Sequence, residues 1–140
     1  MLAQASIVGF VPVSNFQRAE DFYAGKLGLT VTDRDNPYAL VLATADGTMI
    51  RCILVPQAEP RPFTILGWEV PDIAASIQQL TAAGIELLRY PFLEQSPEGI
   101  WTAPGGAQIA WFNDPDGNVL SLSQHPFTQR RVQRTPGPRT

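Results

Sequence analysis

The stretch "AWFNDPDGNVLSLSQ", Ala110 to Gln124, decides how this chain is read. Asp114-Pro115-Asp116-Gly117 is strong turn chemistry: proline presets φ, and glycine accepts the positive φ that closes a hairpin. Beyond it, Asn118-Val119-Leu120-Ser121-Leu122-Ser123 alternates with period two, which predicts a strand with two unlike faces. Leu120 and Leu122 share one face. Val119, Ser121 and Ser123 share the other, and that mixture of polar and apolar residues suits the wall of a cavity.

Working outward from that strand, the chain repeats one plan. "SIVGFVPVSNFQRAEDFYAGKLGLTV" and "FTILGWEVPDIAASIQQLTAAGIELL" each read as an alternating strand followed by a capped amphipathic helix. Asn15 caps a helix whose Phe16, Ala19, Phe22 and Tyr23 share a face, and Asp72 caps one carrying Ile73, Ile77 and Leu80. Gly28 and Gly84 stand where each helix should end in a left-handed residue. Both copies then run into a new strand, "LTVTD" or "IELLRY", and into a hairpin closed by Asp46-Gly47 or Asp116-Gly117. The second copy is longer, and the excess falls in "YPFLEQSPEGIWTAPGG", a connection long enough to be functional or mobile.

The order is β-α-β-β-β, twice. The expected fold is therefore α+β, with residues 1–57 as the first βαβββ module and 61–125 as the second, joined through proline-rich "VPQAEPRPF". One helix covers one face of each four-stranded sheet. A second module can cover the other face, so the two curved mixed sheets are expected to enclose a cavity. Residues 126–140 lack apolar periodicity and read as a loose or partner-packed tail.

Composition bounds the partners. A chain of 140 residues, 44% hydrophobic and 16% charged, suits a soluble globular protein. It shows no secretory leader and no long apolar run, so a cytoplasmic protein with no membrane partner is expected. Four of the ten basic residues follow Gln124. Residues 1–125 thus carry six basic against thirteen acidic side chains, a net of −7, which argues against nucleic acid. The single cysteine, Cys52, has helix-facing parity and reads as a small core residue. The single histidine, His125, excludes any site built from several His or Cys ligands.

The paired modules, "FY…LGL" after the first strand, "GWEVPDI" in the second copy and "FNDPDGNVL" at the last hairpin together resemble the vicinal oxygen chelate superfamily. That superfamily includes glyoxalase I, extradiol dioxygenases, fosfomycin resistance enzymes and bleomycin resistance proteins. The resemblance runs from residue 5 to 124. In its metal-using members, ligands come from the cavity face of the first and last strands of each module. Transferred by motif, those positions are Val8 and Ile65, five residues before the valine ahead of each helix, and Arg51 and Ser121, four residues after each turn glycine. Valine and isoleucine offer no donor, arginine repels a cation, and a one-residue slip places only Ile7 or Gly9, Leu66, and Leu120 or Leu122 there. The resemblance therefore implies the fold but no metal and no cofactor.

By parity the cavity face carries Val8, Phe10 and Pro12; Met49, Arg51 and Ile53; Ile65, Gly67 and Glu69; Val119, Ser121 and Ser123. Apolar walls with a few polar points describe a small-molecule site. Arg51 needs an acidic partner, either Glu69 or an anionic ligand. Trp101 and Trp111 can stack on a planar ligand or can pack in the core or an interface. His125 is a candidate general base, or simply an exposed strand end. The expected ligand-binding set is Val8, Phe10, Arg51, Ile65, Glu69, Trp101, Trp111, Ser121 and Ser123. The leading expectation is a metal-free homodimeric protein that binds a small apolar or aromatic molecule in the manner of bleomycin resistance proteins. Two others stay open: a glyoxalase- or dioxygenase-like enzyme, metal-independent or with non-standard ligands, and a module that only dimerises.

Overall fold

The computed structural model describes residues 1–126. The segment read above as a tail lies, from Phe127 on, outside the described residues. The chain forms two compact units: Met1–Ile65 with Asp114–Val119, and Leu66–Asn113 with the described residues from Leu120.

The first unit holds strands β1 (Val8–Val13), β2 (Thr30–Asp33), β3 (Ala39–Ala43) and β4 (Met49–Leu54), in sheet order β1-β4-β3-β2. Strand β1 runs parallel to β4, and the other neighbours are antiparallel. Register puts Val11 beside Cys52, Leu40 beside Cys52 and Leu42 beside Ile50, so these buried residues share one face. Helix α1 (Phe16–Glu20) covers that face and widens into a π-helical turn, Asp21–Lys26. Asn15 caps it as expected, its Oδ1 accepting from the Arg18 amide at 2.9 Å, and Gly28 follows with φ of +82°. Ala19, Phe22 and Tyr23 are buried, whereas Phe16 is only half-buried. The widened turn from Asp21 resets the apolar stripe, and Phe16 drops off its edge.

The second unit's sheet is β5-β8-β7-β6, from β5 (Thr64–Glu69), β6 (Trp101–Thr102), β7 (Gln108–Asn113) and β8 (Val119–Gln124), with helix α2 (Ile73–Ala82). Ile73, Ile77 and Leu80 of α2 are buried, as are Ala110, Phe112, Leu120 and Leu122 on the strands. Trp68 stacks on Phe112 with ring centroids 6.3 Å apart. Two acceptors finish the α2 N-terminus: Asp72 Oδ1 takes the Ala75 amide at 3.1 Å, and Gln124 Oε1 takes the Ile73 amide at 2.8 Å.

One expected strand is corrected. "IELLRY" makes only a single bridge, Leu87 to Phe112, and one further bond from the Leu88 amide to the Trp111 carbonyl. The Tyr90 amide turns instead to Gln95 Oε1 at 2.8 Å, and Pro91 has no amide to continue a ladder. The pairing is taken up by β6, which sets Trp101 beside Ile109 and Thr102 beside Gln108.

The Asp114–Asn118 turn is a buried polar network of the first unit. Asp114 is 5% exposed and Asn118 4%. Asp114 Oδ2 accepts from the Tyr23 hydroxyl at 2.7 Å and from Asn118 Nδ2 at 2.8 Å. Its Oδ1 accepts from the amides of Asp116 and Asn118, each at 2.9 Å. Asn118 Nδ2 also reaches the Pro12 carbonyl at 3.0 Å, while Asp116 accepts from the Ser14 amide, the Ser14 hydroxyl and Arg18. Burial first, and then the Asp114 charge, pushes the Tyr23 phenol far above its usual range. Burial, with Asp114 and Asp116 adding to it, pushes the Cys52 thiol up to about 12, so Cys52 is an inert core residue.

Candidate functional site

In the second unit, β8 determines what its sheet presents on the face away from α2. Its buried Leu120 and Leu122 point toward the helix, so Ser121 and Ser123 stand on the opposite face with Gly67 and Glu69 of β5 and Trp111 of β7. Gly67 and Ser121 explain each other. A Cβ built on Gly67 would meet Ser121 Oγ at 2.5 Å, so a larger residue there would turn that hydroxyl away from its present position. Ser121 Oγ has no hydrogen-bond partner among the described residues, which leaves a half-exposed donor and acceptor on the face.

At one end of that face Glu69 gathers polar groups. Its Oε1 accepts from the Ser123 hydroxyl at 2.7 Å and lies 2.7 Å from His125 Nδ1; its Oε2 accepts from the His125 amide at 2.8 Å. A carboxylate can only accept, so Nδ1 carries the proton in this pair. Glu69 thus finds its partners on β8 and just beyond.

Aromatic rings occupy the β7 side. Trp101 and Trp111 lie with centroids 6.2 Å apart, Tyr90 meets Trp111 edge-on at 5.3 Å, and Phe92 lies 5.4 Å from Tyr90. Phe92 is 80% exposed, so the run of rings ends at solvent. The segment that supplies Tyr90 and Phe92 is pinned by Gln95, whose Nε2 donates to the Leu88 carbonyl at 3.0 Å and the Gly99 carbonyl at 2.9 Å. Arg89 is used in the same way, donating to the carbonyls of Ser96 and Pro97. Sequence reading found the two tryptophans but missed Tyr90, Phe92 and Gln95. No spacing rule marks a glutamine in a loop as a structural clasp.

In the first unit, the face away from α1 carries Val8 and Phe10 of β1 beside Met49 and Arg51 of β4. Val8 and Phe10 are exposed, and Arg51 is half-buried. Among the described residues the ion pairs are Arg18–Asp116, Arg34–Glu20 and His125–Glu69, and Arg51 takes part in none. Ile65, the remaining expected contact, is half-buried on β5.

The four positions where the resemblance would look for metal ligands, Val8, Arg51, Ile65 and Ser121, do not fit a divalent ion, because only a serine hydroxyl among them can donate an oxygen. Among the described residues no three His, Cys, Asp or Glu side chains converge, and no helix is long and apolar enough to cross a membrane. The second unit also has an open depression of about 750 Å³ between α2 and the loop, lined by Ile77, Thr81, Ile85, Leu87 and Arg89 among others. Its arginine, Arg89, donates to backbone carbonyls, and Gln78, Glu86 and Glu98 also line it.

Comparison with known proteins agrees with this geometry. The model of the glyoxalase/bleomycin resistance protein/dioxygenase superfamily matches residues 4–122. Among solved structures, TnmS3, an antibiotic-binding protein from Streptomyces sp. CB03234, is similar at 25% identity and a TM-score of 0.69, over 89% of this chain and 98% of that one. A glyoxalase family protein from Enterococcus faecalis is similar at 25% identity and a TM-score of 0.67, over 88% and 99%. A superfamily member from Alicyclobacillus acidocaldarius shares the fold at 20% identity and a TM-score of 0.67, over 94% and 97%. No curated protein matches the chain.

Proposed function

The chain belongs to the glyoxalase/bleomycin resistance protein/dioxygenase superfamily, and from that premise we propose that it is a binding member, holding a small apolar or aromatic molecule without a metal or cofactor. The observation that carries this reading is the run of rings Trp101–Trp111–Tyr90–Phe92 on the sheet that also presents the Ser121 hydroxyl, which has no partner among the described residues. Flat apolar surface with one or two polar points is what a planar ligand needs. The likeness to an antibiotic-binding protein at 25% identity supports it. The contacts proposed in the second unit are Glu69, Trp101, Trp111, Ser121 and Ser123; those proposed in the first unit, taken by itself, are Val8, Phe10, Arg51 and Ile65.

Tryptophan fluorescence tests the reading. Titration with a panel of planar aromatic antibiotics and metabolites is expected to quench emission saturably, equally with EDTA or with added nickel. Trp111→Ala should weaken the best binder by about tenfold or more, corresponding to a stacking contact of roughly 1–2 kcal/mol. A panel with no saturable quencher, or binding that needs added metal, would overturn it.

One observation favours a second reading, a metal-independent enzyme: Glu69 holds His125 Nδ1 at 2.7 Å, the arrangement that fixes the tautomer of a general base. Turnover of a bound compound that His125→Gln abolishes without loss of binding would select it.

The protein is further proposed to act in the cytoplasm as a homodimer. Strand β1 is an end strand of its sheet; Val8 and Phe10 on it are exposed, as are Ile7 just before it and Leu54 at the end of β4. Sedimentation is expected to give a dimer at micromolar concentration, and a monomer there counts against that assembly.

A further inference from the structure

We propose that the aromatic ligand carries an uncharged hydrogen-bonding group on its edge, that Ser121 reads this group, and that Gly67 keeps the Ser121 hydroxyl free to do so. This deepens the reading above and rests on it, because the aromatic body of the ligand comes from that reading. Ser121, Gly67 and the rings all belong to the second unit.

Ser121 sits on β8, which lies between β5 and β7 in the sheet. Leu120 and Leu122 on either side of it are buried, so the serine points to the opposite face, half-buried and with its hydroxyl bonded to none of the described residues. Such a hydroxyl has lost part of its water and gains from a partner. Ser123, two residues on, is different: its hydroxyl already donates to Glu69 Oε1 at 2.7 Å. Across the sheet, a Cβ added at Gly67 would stand 2.5 Å from Ser121 Oγ, yet 3.5 Å from the Ser121 carbonyl oxygen and 3.8 Å from its Cβ. Only the hydroxyl would have to move. It does so by rotation about one bond, so a side chain at position 67 turns it aside and leaves the strands in place.

The flat surface begins on the next strand. Trp111 and Ser121 each stand two residues inside their strands from the hairpin that joins β7 to β8, and Trp101 and Tyr90 extend the surface from Trp111. A ring laid there turns one edge toward β8. Glu69 determines which charge that edge can carry, since it is the only charged residue in β5, β6, β7 and β8 and lies two residues from Gly67, about 7 Å along an extended strand. Its carboxylate repels a second one. A carboxamide, phenol or aryl ketone suits the position, and a carboxylate does not.

Three naphthalenes of similar shape test this by equilibrium dialysis against the full-length protein: 2-naphthamide, the anion 2-naphthoate, and 2-ethylnaphthalene, which has no polar atom. Wild type is expected to hold the amide about threefold or more tighter than the carboxylate. Ser121→Ala should weaken the amide about three- to tenfold, the range for an uncharged hydrogen bond, and move the hydrocarbon by less than about twofold. Gly67→Ala should do the same, and the double variant should bind the amide no more weakly than either single one. Glu69→Gln should narrow the gap between amide and carboxylate. Melting temperatures accompany every variant, and if Ser121→Ala melts early, Ser121→Cys takes its place. An amide affinity unmoved in the folded Ser121 variant, while Trp111→Ala still weakens all three probes, overturns the proposal and leaves the aromatic reading standing. Equal loss of all three probes in Gly67→Ala also overturns it, since the glycine then only makes room for the ring. If wild type holds none of the probes, both the proposal and the reading beneath it fail.

Discussion

Asp114→Ala is expected to be the most damaging single change to the fold, at roughly 3–5 kcal/mol, the range for breaking a buried polar network. Removing the carboxylate strands the Tyr23 hydroxyl, the Asn118 side-chain amide and the amides of Asp116 and Asn118 in a region where Asn118 is 4% exposed. Each stranded group costs about 1–3 kcal/mol, but the terms share one site and do not add. Asn118 keeps its bond to the Pro12 carbonyl, which limits the loss. Tyr23→Phe removes one donor and leaves Asp114 three others, so about 1 kcal/mol is expected. In Asp114→Ala the further change Tyr23→Phe should recover part of the loss, because the stranded hydroxyl goes with it. Urea unfolding of the three proteins measures this. An Asp114→Ala protein within 1 kcal/mol of wild type would mean that water or rotation satisfies these groups.

Gln95→Leu is expected to cost about 2–3 kcal/mol, since one side chain answers the Tyr90 amide and the carbonyls of Leu88 and Gly99. The consequence reaches the proposed site. Tyr90 meets Trp111 edge-on, so freeing residues 88–99 removes one wall from that ring. Faster amide exchange in that segment and a shift in tryptophan emission should appear together. Gln95→Glu separates the two polarities: it keeps an acceptor for Tyr90 but sets a carboxylate oxygen against two carbonyls, and it should be at least as harmful. If exchange in 88–99 is unchanged in both variants, Gln95 is not what holds the loop.

The fold was largely legible in the sequence because its signals are local. Asn15 and Asp72 cap their helices, Gly28 and Gly84 take positive φ, and the Asp-Gly pairs at 46–47 and 116–117 stand between β3 and β4 and between β7 and β8. Period-two alternation put Cys52, Leu120 and Leu122 on the buried faces. The failures involve groups far apart in sequence or without a pattern. "IELLRY" has strand composition, but a glutamine five residues beyond Tyr90 draws its amide away. The "DPDGN" turn carries hairpin chemistry, and nothing local reveals that its first aspartate is the acceptor for a tyrosine 91 residues earlier. In the candidate site, parity sorted the two serines and Glu69 onto one face. Which partner Glu69 would take was not readable, because it depends on residues 54 and 56 positions away.

That the first unit borrows Asp114–Val119 has a consequence for how the chain is made. During synthesis, residues 1–65 emerge with Tyr23 already in the chain, but the carboxylate that its hydroxyl needs is translated 91 positions later. At about 5–20 residues per second the interval is roughly 5–18 s. Folding therefore cannot finish in the order of translation: the amino-terminal half stays incomplete until the far hairpin leaves the ribosome, and severing the chain at the proline-rich linker yields a first fragment that never receives its acceptor.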